Sequence, residues 1–464
     1  MRYPNGSPIV ALSTWLLNPA PFSRGAIRVV RGVLVAAALA WSVSGMPGRA
    51  ATVERFPRPE FESAYVQPKI ITPSPREDWR DYVDMAALAA ALAAASFLAL
   101  RRRSRMGLVG LTIVCVAYFG FWRKGCVCPV GSVQNVVQAL FDRSYAVPLV
   151  VLVFFLLPLV FALFTGRTFC AAVCPLGGMQ DLVVYKPLRL PAWLSKALSL
   201  IPPVYLGLAV LYAACGAGFI ICRWDPFVGF FRLSAPFHML ALGAGFLAVG
   251  AFIARPYCRF LCPYGVLLGW MSRLAWKHVT VTPTECIQCR LCEDVCPFDA
   301  ILPATTDRLP VPRKRGVRRL AIELALLPIG IAIGVWLGLR IEPALARLHP
   351  DVALAEQVAI EDARGGQPQT EETKAFRASG TATTHLMADA EAVRRKLRIG
   401  SALLGALVGA TVIGRLIGLS IARTRKDYVP DRGACVSCAR CFTYCPKDKE
   451  WRKNKAQGKP DERS

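Results

Sequence analysis

The amino-acid sequence predicts a mainly α-helical polytopic membrane protein of seven or eight transmembrane helices, with a small α+β module assembled from two separated halves. Two observations predict it: apolar runs of spanning length recur along the 464 residues, and one cysteine word occurs twice, from Cys286 and again from Cys435. A span needs about 20 mostly apolar residues. Eight runs approach that length: 27–43, 85–100, 107–122, 146–164, 198–216, 238–254, 320–339 and 399–422. Charges cluster between these runs rather than within them, which a soluble protein with buried helices would not require.

Basic residues then orient the spans. The net charge is +25, and the arginines and lysines crowd onto alternate connections. These are Arg101–Arg105, Arg167 with Lys186 and Arg189, Arg255 with Arg259 and Lys277, Arg313–Arg319, and Arg423 onward. The positive-inside rule makes those connections cytoplasmic and places 44–84 and 340–398 outside, in a bacterial inner membrane. Nucleic-acid binding would need basic residues interleaved with aromatics on one exposed face, a pattern absent from these loops. Arg24, Arg28 and Arg31 precede the first apolar run, and Gly48-Arg49-Ala50 resembles a cleavage site, so residues 1–50 read as a signal peptide or a signal anchor. The expected organisation continues with a periplasmic segment at 51–84 and a transmembrane core at 85–278. The first half-module is 279–316, a transmembrane hairpin with a periplasmic loop at 341–398 fills 317–422, and the second half with a basic tail is 423–464.

Most of the seventeen cysteines fall in words that end Cys-Pro with metal-ligand spacing, and many lie on the reducing side, so metal binding outweighs disulfides. The words ECIQCRLCEDVCP and ACVSCARCFTYCP both read C-x2-C-x2-C-x3-C-P, the bacterial 4Fe–4S run, whose fourth cysteine ligates the other cluster. That pairing predicts one cluster on Cys286, Cys289, Cys292 and Cys445, and a second on Cys435, Cys438, Cys441 and Cys296. Zinc would favour paired CxxC or a histidine ligand, and neither word contains histidine. The module is therefore a two-cluster ferredoxin-like unit, cytoplasmic, with its halves held together by the hairpin between them. Gly330, Gly334 and Gly338 on one side, and Gly405, Gly409, Gly414 and Gly418 on the other, are spaced for close helix approach. Arg415, inside the eighth run, is expected to face protein.

Two shorter words, GRTFCAAVCPLGGMQD and ARPYCRFLCPYGVLLG, place Cys170 with Cys174 and Cys258 with Cys262 at i, i+4. That spacing sets two thiols on one helical face, and two such pairs make the four ligands of a further iron–sulfur cluster at the inner surface. Spacing alone leaves open whether the pairs share one cluster. A third relative, KGCVCPVGSVQN, carries Cys126 and Cys128 one residue apart, and counting crossings places it outside. Cys222 and Cys215 end the fifth run on the same side, which suggests an outer iron–sulfur site on Cys126, Cys128 and Cys222 completed by Cys215 or another group. Structural or redox thiols are the alternative. Cys115, alone inside a run, reads as a small apolar packer. Asp225 in Arg-Trp-Asp-Pro-Phe reads as a turn cap before Pro226, with help to a quinol losing protons near the outer surface as the alternative. The chain has four histidines, and only His238 lies at a span, so bis-histidine haem is excluded.

These words together resemble the membrane polyferredoxins of the NosR and NapH type. The resemblance covers roughly 107–450 and rests on GCVCPVGSVQN, GRTFCAAVCPLG, CRWDPFVGFFRLS, PYCRFLCPYGVLLG and the two ferredoxin words. It implies a membrane protein that carries electrons between the quinone pool or cytoplasmic donors and a periplasmic reductase or maturation system. NosR-type proteins carry an outer FMN-binding domain. The segment 44–84 is too short for one, and the order Ser379-Gly380-Thr381-Ala382-Thr383-Thr384 is not the flavin attachment motif. A flavin is accordingly expected on a partner, a periplasmic redox protein or flavin-domain protein. No nucleophile–base pair or phosphate loop is present, so the expected function is electron transfer, whether or not as part of a quinol dehydrogenase. The competing class is a biogenesis or regulatory factor that reduces a metal or thiol for a maturing enzyme.

Overall fold

A computed structural model describes residues 77–125, 128–185, 187–282, 286–305, 313–366, 370–420 and 425–457. The first apolar run, with its signal peptide or anchor, and Cys126 lie outside the described residues. The described residues up to 142 and from 148 onward belong to one compact unit.

In this unit, five of the described helical segments are long and apolar enough to cross a membrane: Asp78–Arg101, Arg105–Trp122, Trp193–Cys215, Lys314–Arg347 and Thr383–Gly418. Two of the predicted spans form shorter apolar helices, Leu149–Thr165 and Phe237–Phe252. At 1.5 Å per residue the first of these reaches about 25 Å, less than the hydrocarbon thickness of about 30 Å. Both stop early because the chain turns into a Cys-Pro word.

Helix α1 (Asp78–Ser96) begins well before the expected boundary at 85, and α2 (Arg105–Cys115) runs on through a π-helical stretch to Trp122. Each Cys-Pro word then starts a new helix with proline at its first position, where the missing N–H is no loss. These are α3 (Pro129–Phe141), α5 (Pro175–Leu182) and α9 (Pro263–Arg273), which interleave with the apolar α4 (Leu149–Thr165), α6 (Ile201–Cys215) and α8 (Phe237–Phe252). A short α7 (Val228–Arg232) follows Asp225-Pro226 between α6 and α8. Helix α5 does not lie at the end of the bundle. A Cβ on Gly178 would meet Thr112 at 2.8 Å and also Val116, which places α5 against the middle of α2. The Cys-Pro words are thus sunk into the body, where irregular backbone is tolerated because protein covers it.

The first ferredoxin half contains α10 (Leu291–Val295) and β1 (Ile301–Leu302). The chain then leaves on α11 (Arg313–Arg347) and returns on α14 (Thr383–Ser420). Their seam is backbone on backbone: a Cβ on Gly334 would run into the Gly405 carbonyl, one on Gly338 into that of Ser401, and one on Gly409 into that of Gly330. Gly414 and Gly418 face open space and take no part in the seam. Arg415 is exposed, with Asp431 and Arg273 as its charged neighbours, rather than turned into protein. Residues 341–398, expected as a loop, are largely helical. Helix α11 continues to Arg347, and α12 (Pro350–Ala363) and α13 (Glu371–Ala378) follow. His349 and Thr370 cap these two helices through their side chains, and Val352, Ala355 and Val358 pack with Leu386, Leu397 and Leu211. The Ser379–Thr381 hydroxyls are spent on ending α13: Ser379 donates to the Phe376 carbonyl at 2.6 Å, and Gly380 takes the left-handed conformation (φ +69°).

The halves meet again through β2 (Val429–Pro430), which pairs antiparallel with β1 in the register Ile301↔Pro430 and Leu302↔Val429. The Asp431 amide donates to the Ala300 carbonyl at 2.7 Å, and the Thr305 amide to that of Arg425 at 2.9 Å. Val281, Phe298, Ile301, Tyr428 and Val436 form the small shared core, against which α10 and α15 (Arg440–Tyr444) close.

Candidate functional site

Within each ferredoxin word the residues on either side of the middle cysteine adopt left-handed backbone: Gln288 (φ 52°) and Arg290 (φ 63°) in one, Ser437 (φ 55°) and Ala439 (φ 61°) in the other. None is glycine, and the same two positions are used both times. Alternation of right- and left-handed residues turns successive amides toward one point and makes an anion-binding concavity. One such space is lined by Cys286, Cys289, Cys292 and Cys445. The other is lined by Cys296, Cys435, Cys438 and Cys441. The fourth cysteine of each word thus lines the other word's cavity. Ser437 is 1 % exposed and its hydroxyl has no hydrogen-bond partner, a buried donor at the edge of the second cavity. Burial pushes the Cys292 and Cys435 thiols up to about 12, so a metal displacing the proton is what makes them thiolates at neutral pH. The residues fit iron–sulfur clusters on these grounds. Among the described residues no three His, Cys, Asp or Glu side chains approach closely enough to share a single metal ion; in a cubane each cysteine binds its own iron.

Cys170, Cys174, Cys258 and Cys262 come together in the helical body. Cys174 and Cys262 each lie within electrostatic reach of both Cys258 and Cys170. Cys174 and Cys262 are the N-caps of α5 and α9, with the Gly177 and Gly265 amides near their sulfurs. Gln180 donates from Nε2 to Cys258 Sγ at 3.3 Å, and its Oε1 accepts the Tyr257 amide at 3.1 Å. Arg167 reaches Cys170 Sγ at 3.8 Å with one nitrogen and the Gly433 carbonyl of the second ferredoxin half at 3.0 Å with the other.

Of the cysteines assigned to the outer site, Cys128 and Cys222 come together and Cys215 does not. Cys128 caps α3 and feels both Cys222 and Asp225. Cys215 ends α6 in a different cluster, beside Leu211, Ala346 and Val352, with its carbonyl 3.3 Å from His349 Nε2. Asp225 does accept the Phe227 and Val228 amides (2.9 and 3.3 Å), as a turn cap would, yet it is 5 % exposed and lies beside Cys128 and Cys222. Burial pushes its carboxyl up to about 6 despite these two amides. The two membrane thiol groups are neighbours: Cys174 also feels Cys128, and the fully buried Tyr264 lies within reach of Cys170, Cys174, Cys262 and Cys128. Cys115 is buried and packs with the bundle core.

Three ionic residues that spacing did not single out join the ferredoxin module to the body. Asp181 on α5 binds Arg105 (2.5 Å), Arg255 (3.3 Å) and Arg440 (3.1 Å). Burial alone would raise its pKa, but the three guanidinium groups overcome this and hold the carboxyl well below the usual range. Arg255 is 1 % exposed, donates to the Cys170 and Ala171 carbonyls, and lies within electrostatic reach of both Cys258 and Cys438. Arg103, from the basic Arg101–Arg105 stretch, is buried against Asp448 (2.5 Å) and the Phe442 ring (3.8 Å), and donates to the Val281 carbonyl (2.6 Å), clasping both halves. A positive φ of 52° at Arg103 and a charge in a contiguous basic run gave no sequence signal for this role.

A 4Fe-4S binding domain family matches residues 106–148, 147–200 and 235–280, and a second 4Fe-4S binding domain family matches 279–302. An uncharacterized protein of Methanocaldococcus jannaschii is 28 % identical over 39 % of this chain and 77 % of its own length. The putative electron transport protein YccM of Escherichia coli is 25 % identical over 47 % of this chain and 68 % of its own length. The regulatory protein NosR of Pseudomonas aeruginosa is 29 % identical over 44 % of this chain, and the match spans 30 % of NosR. No solved structure matches.

Proposed function

The chain belongs to the NosR/NapH-type membrane 4Fe–4S proteins, and from that premise we propose that it passes single electrons along a series of iron–sulfur sites through the membrane. One observation carries this reading: Arg255 and Arg167 each lie between the second ferredoxin half and the Cys170–Cys262 thiols, Cys174 of which adjoins Cys128, and Cys128 adjoins Cys222. When bound, the clusters supply one-electron redox chemistry at thiolate-ligated iron. The eight ferredoxin cysteines hold two of them at the cytoplasmic end, and Cys170, Cys174, Cys258 and Cys262 a third within the bilayer. Inward-turned amides, Gln180 and the arginines stabilise the negative charge of each set, and packed helices exclude water. A fourth site at Cys128 and Cys222 faces the periplasm. Quinone or a cytoplasmic donor serves one end, and a periplasmic redox partner or flavin-domain protein the other.

The test is iron and acid-labile sulfide content with EPR of anaerobically purified protein, combined with electron delivery across proteoliposomes. Cys258→Ala should retain the two ferredoxin signals and lose transmembrane delivery. Unchanged delivery in that variant would overturn the proposal.

A further inference from the structure

The words around Cys128 and Cys174 share more than Cys-Pro-x-Gly. Each places a glutamine six residues after its second cysteine, Gln134 in one and Gln180 in the other. The two glutamines are used alike. Gln180 Oε1 accepts the amide of Tyr257, the residue before Cys258, at 3.1 Å. Gln134 Oε1 accepts the amide of Ile221, the residue before Cys222, at 2.9 Å. The glycines repeat the relation: a Cβ on Gly177 would stand 3.6 Å from Cys258 Sγ, and one on Gly131 would stand 3.0 Å from Cys222 Sγ. Cys222 is therefore the counterpart of Cys258, as Cys128 is of Cys174.

The segments that follow then align. After Cys258 come Arg259, Phe260, Leu261 and Cys262-Pro263; after Cys222 come Arg223, Trp224 and Asp225-Pro226. With one residue fewer, Asp225 stands where Cys262 stands. Position agrees: Cys128, Cys174 and Cys262 each precede a proline with amides of the following turn near the sulfur, and Asp225 also precedes a proline, its carboxylate accepting from the Phe227 and Val228 amides just beyond it. Two buried groups independently point to an acceptor-rich occupant. Gln134 is 0 % exposed with its Nε2 unpartnered, whereas the matching Nε2 of Gln180 donates to Cys258 Sγ. Tyr257 is 1 % exposed with its hydroxyl unpartnered, and it lies within reach of Asp225, Cys128 and Cys262.

We infer that the two membrane thiol groups are copies of one site, and that in the second copy the Asp225 carboxylate, not Cys215, ligates an iron–sulfur cluster beside Cys128 and Cys222. This rests on the reading of that group as a metal site. The proposal is tested by iron and sulfide content and EPR of the full chain, with the ferredoxin signals reporting folding. Asp225→Ala should lose as much iron as Cys222→Ala, Cys215→Ala should lose none, and Asp225→Cys should keep the iron while changing the EPR spectrum of one cluster only. If Cys222→Ala loses iron but Asp225→Ala does not, the ligand assignment is wrong and the metal site stands. If neither Cys128→Ala nor Cys222→Ala changes iron or EPR, the metal site itself falls.

Discussion

The ferredoxin words and the Cys-Pro words each bring cysteines from separate segments together, and they surround those sulfurs with polar groups by different means. In the ferredoxin words the backbone does it, through left-handed residues at Gln288, Arg290, Ser437 and Ala439. In the Cys-Pro words helix starts, Gln180 and buried guanidinium groups do it, with Asp181 balancing three arginines. The first device is local to each word. The second is assembled from α2, α5, the turn before Cys258 and α15, so it depends on the whole bundle.

The largest way to break this contrast is at Asp181. Asp181→Ala leaves the buried Arg255 and the partly buried Arg105 and Arg440 without their shared partner, and removing one member of a buried ion network costs about 3–5 kcal/mol. We expect a large drop in thermal unfolding temperature in detergent and faster hydrogen exchange through 425–457; an unchanged melt would show that the arginines do not need the carboxylate. Because its folded pKa is depressed, Asp181 stabilises the protein above the ordinary carboxylate range and loses that contribution only as pH falls below it. The gap in stability between wild type and Asp181→Asn should therefore stay constant from about pH 8 to pH 5. A gap that closes within that window would mean the carboxyl is not held charged.

Next in size is the glycine seam. Gly405→Leu should cost about 1–3 kcal/mol or more, since the added side chain meets the Gly334 carbonyl. Gly414→Leu, facing open space, should be near neutral in the same melting experiment. Equal effects at the two positions would remove the seam as the hairpin's lock. The smallest effect tests the backbone nest: Arg290→Gly relieves a left-handed non-glycine residue and should stabilise the reconstituted module by about 1 kcal/mol. A decrease in its melting temperature would instead assign the arginine side chain a stabilising contact.

The two ferredoxin words were legible as local units, because the residues that make each nest are close neighbours in the chain; the structure brings Cys445 beside the first word and Cys296 beside the second. The glycine rows likewise pointed to the α11–α14 seam, although only tertiary contact separates Gly405 and Gly409 from the idle Gly414 and Gly418. The helices between 341 and 398 were not legible, since capping by His349 and Thr370 and packing on Leu211 stabilise a segment whose charges read as solvated. Cys215 and Asp225 show the limit most clearly. Both lie near Cys222 in the chain, and counting crossings cannot tell which way a side chain turns at the end of a helix.

What the sequence by itself determined is therefore the chemistry carried by short-range patterns: apolar runs, two ferredoxin words, and helices begun by Cys-Pro. Backbone conformation and helix initiation are set by residues a few positions apart. What only the tertiary structure decided is which distant groups share a site: Asp181 with three arginines, Cys128 with Cys222 and Asp225, the sunken position of α5. Those pairings depend on how helices stack, and stacking is fixed by the sum of many weak contacts that no single word encodes.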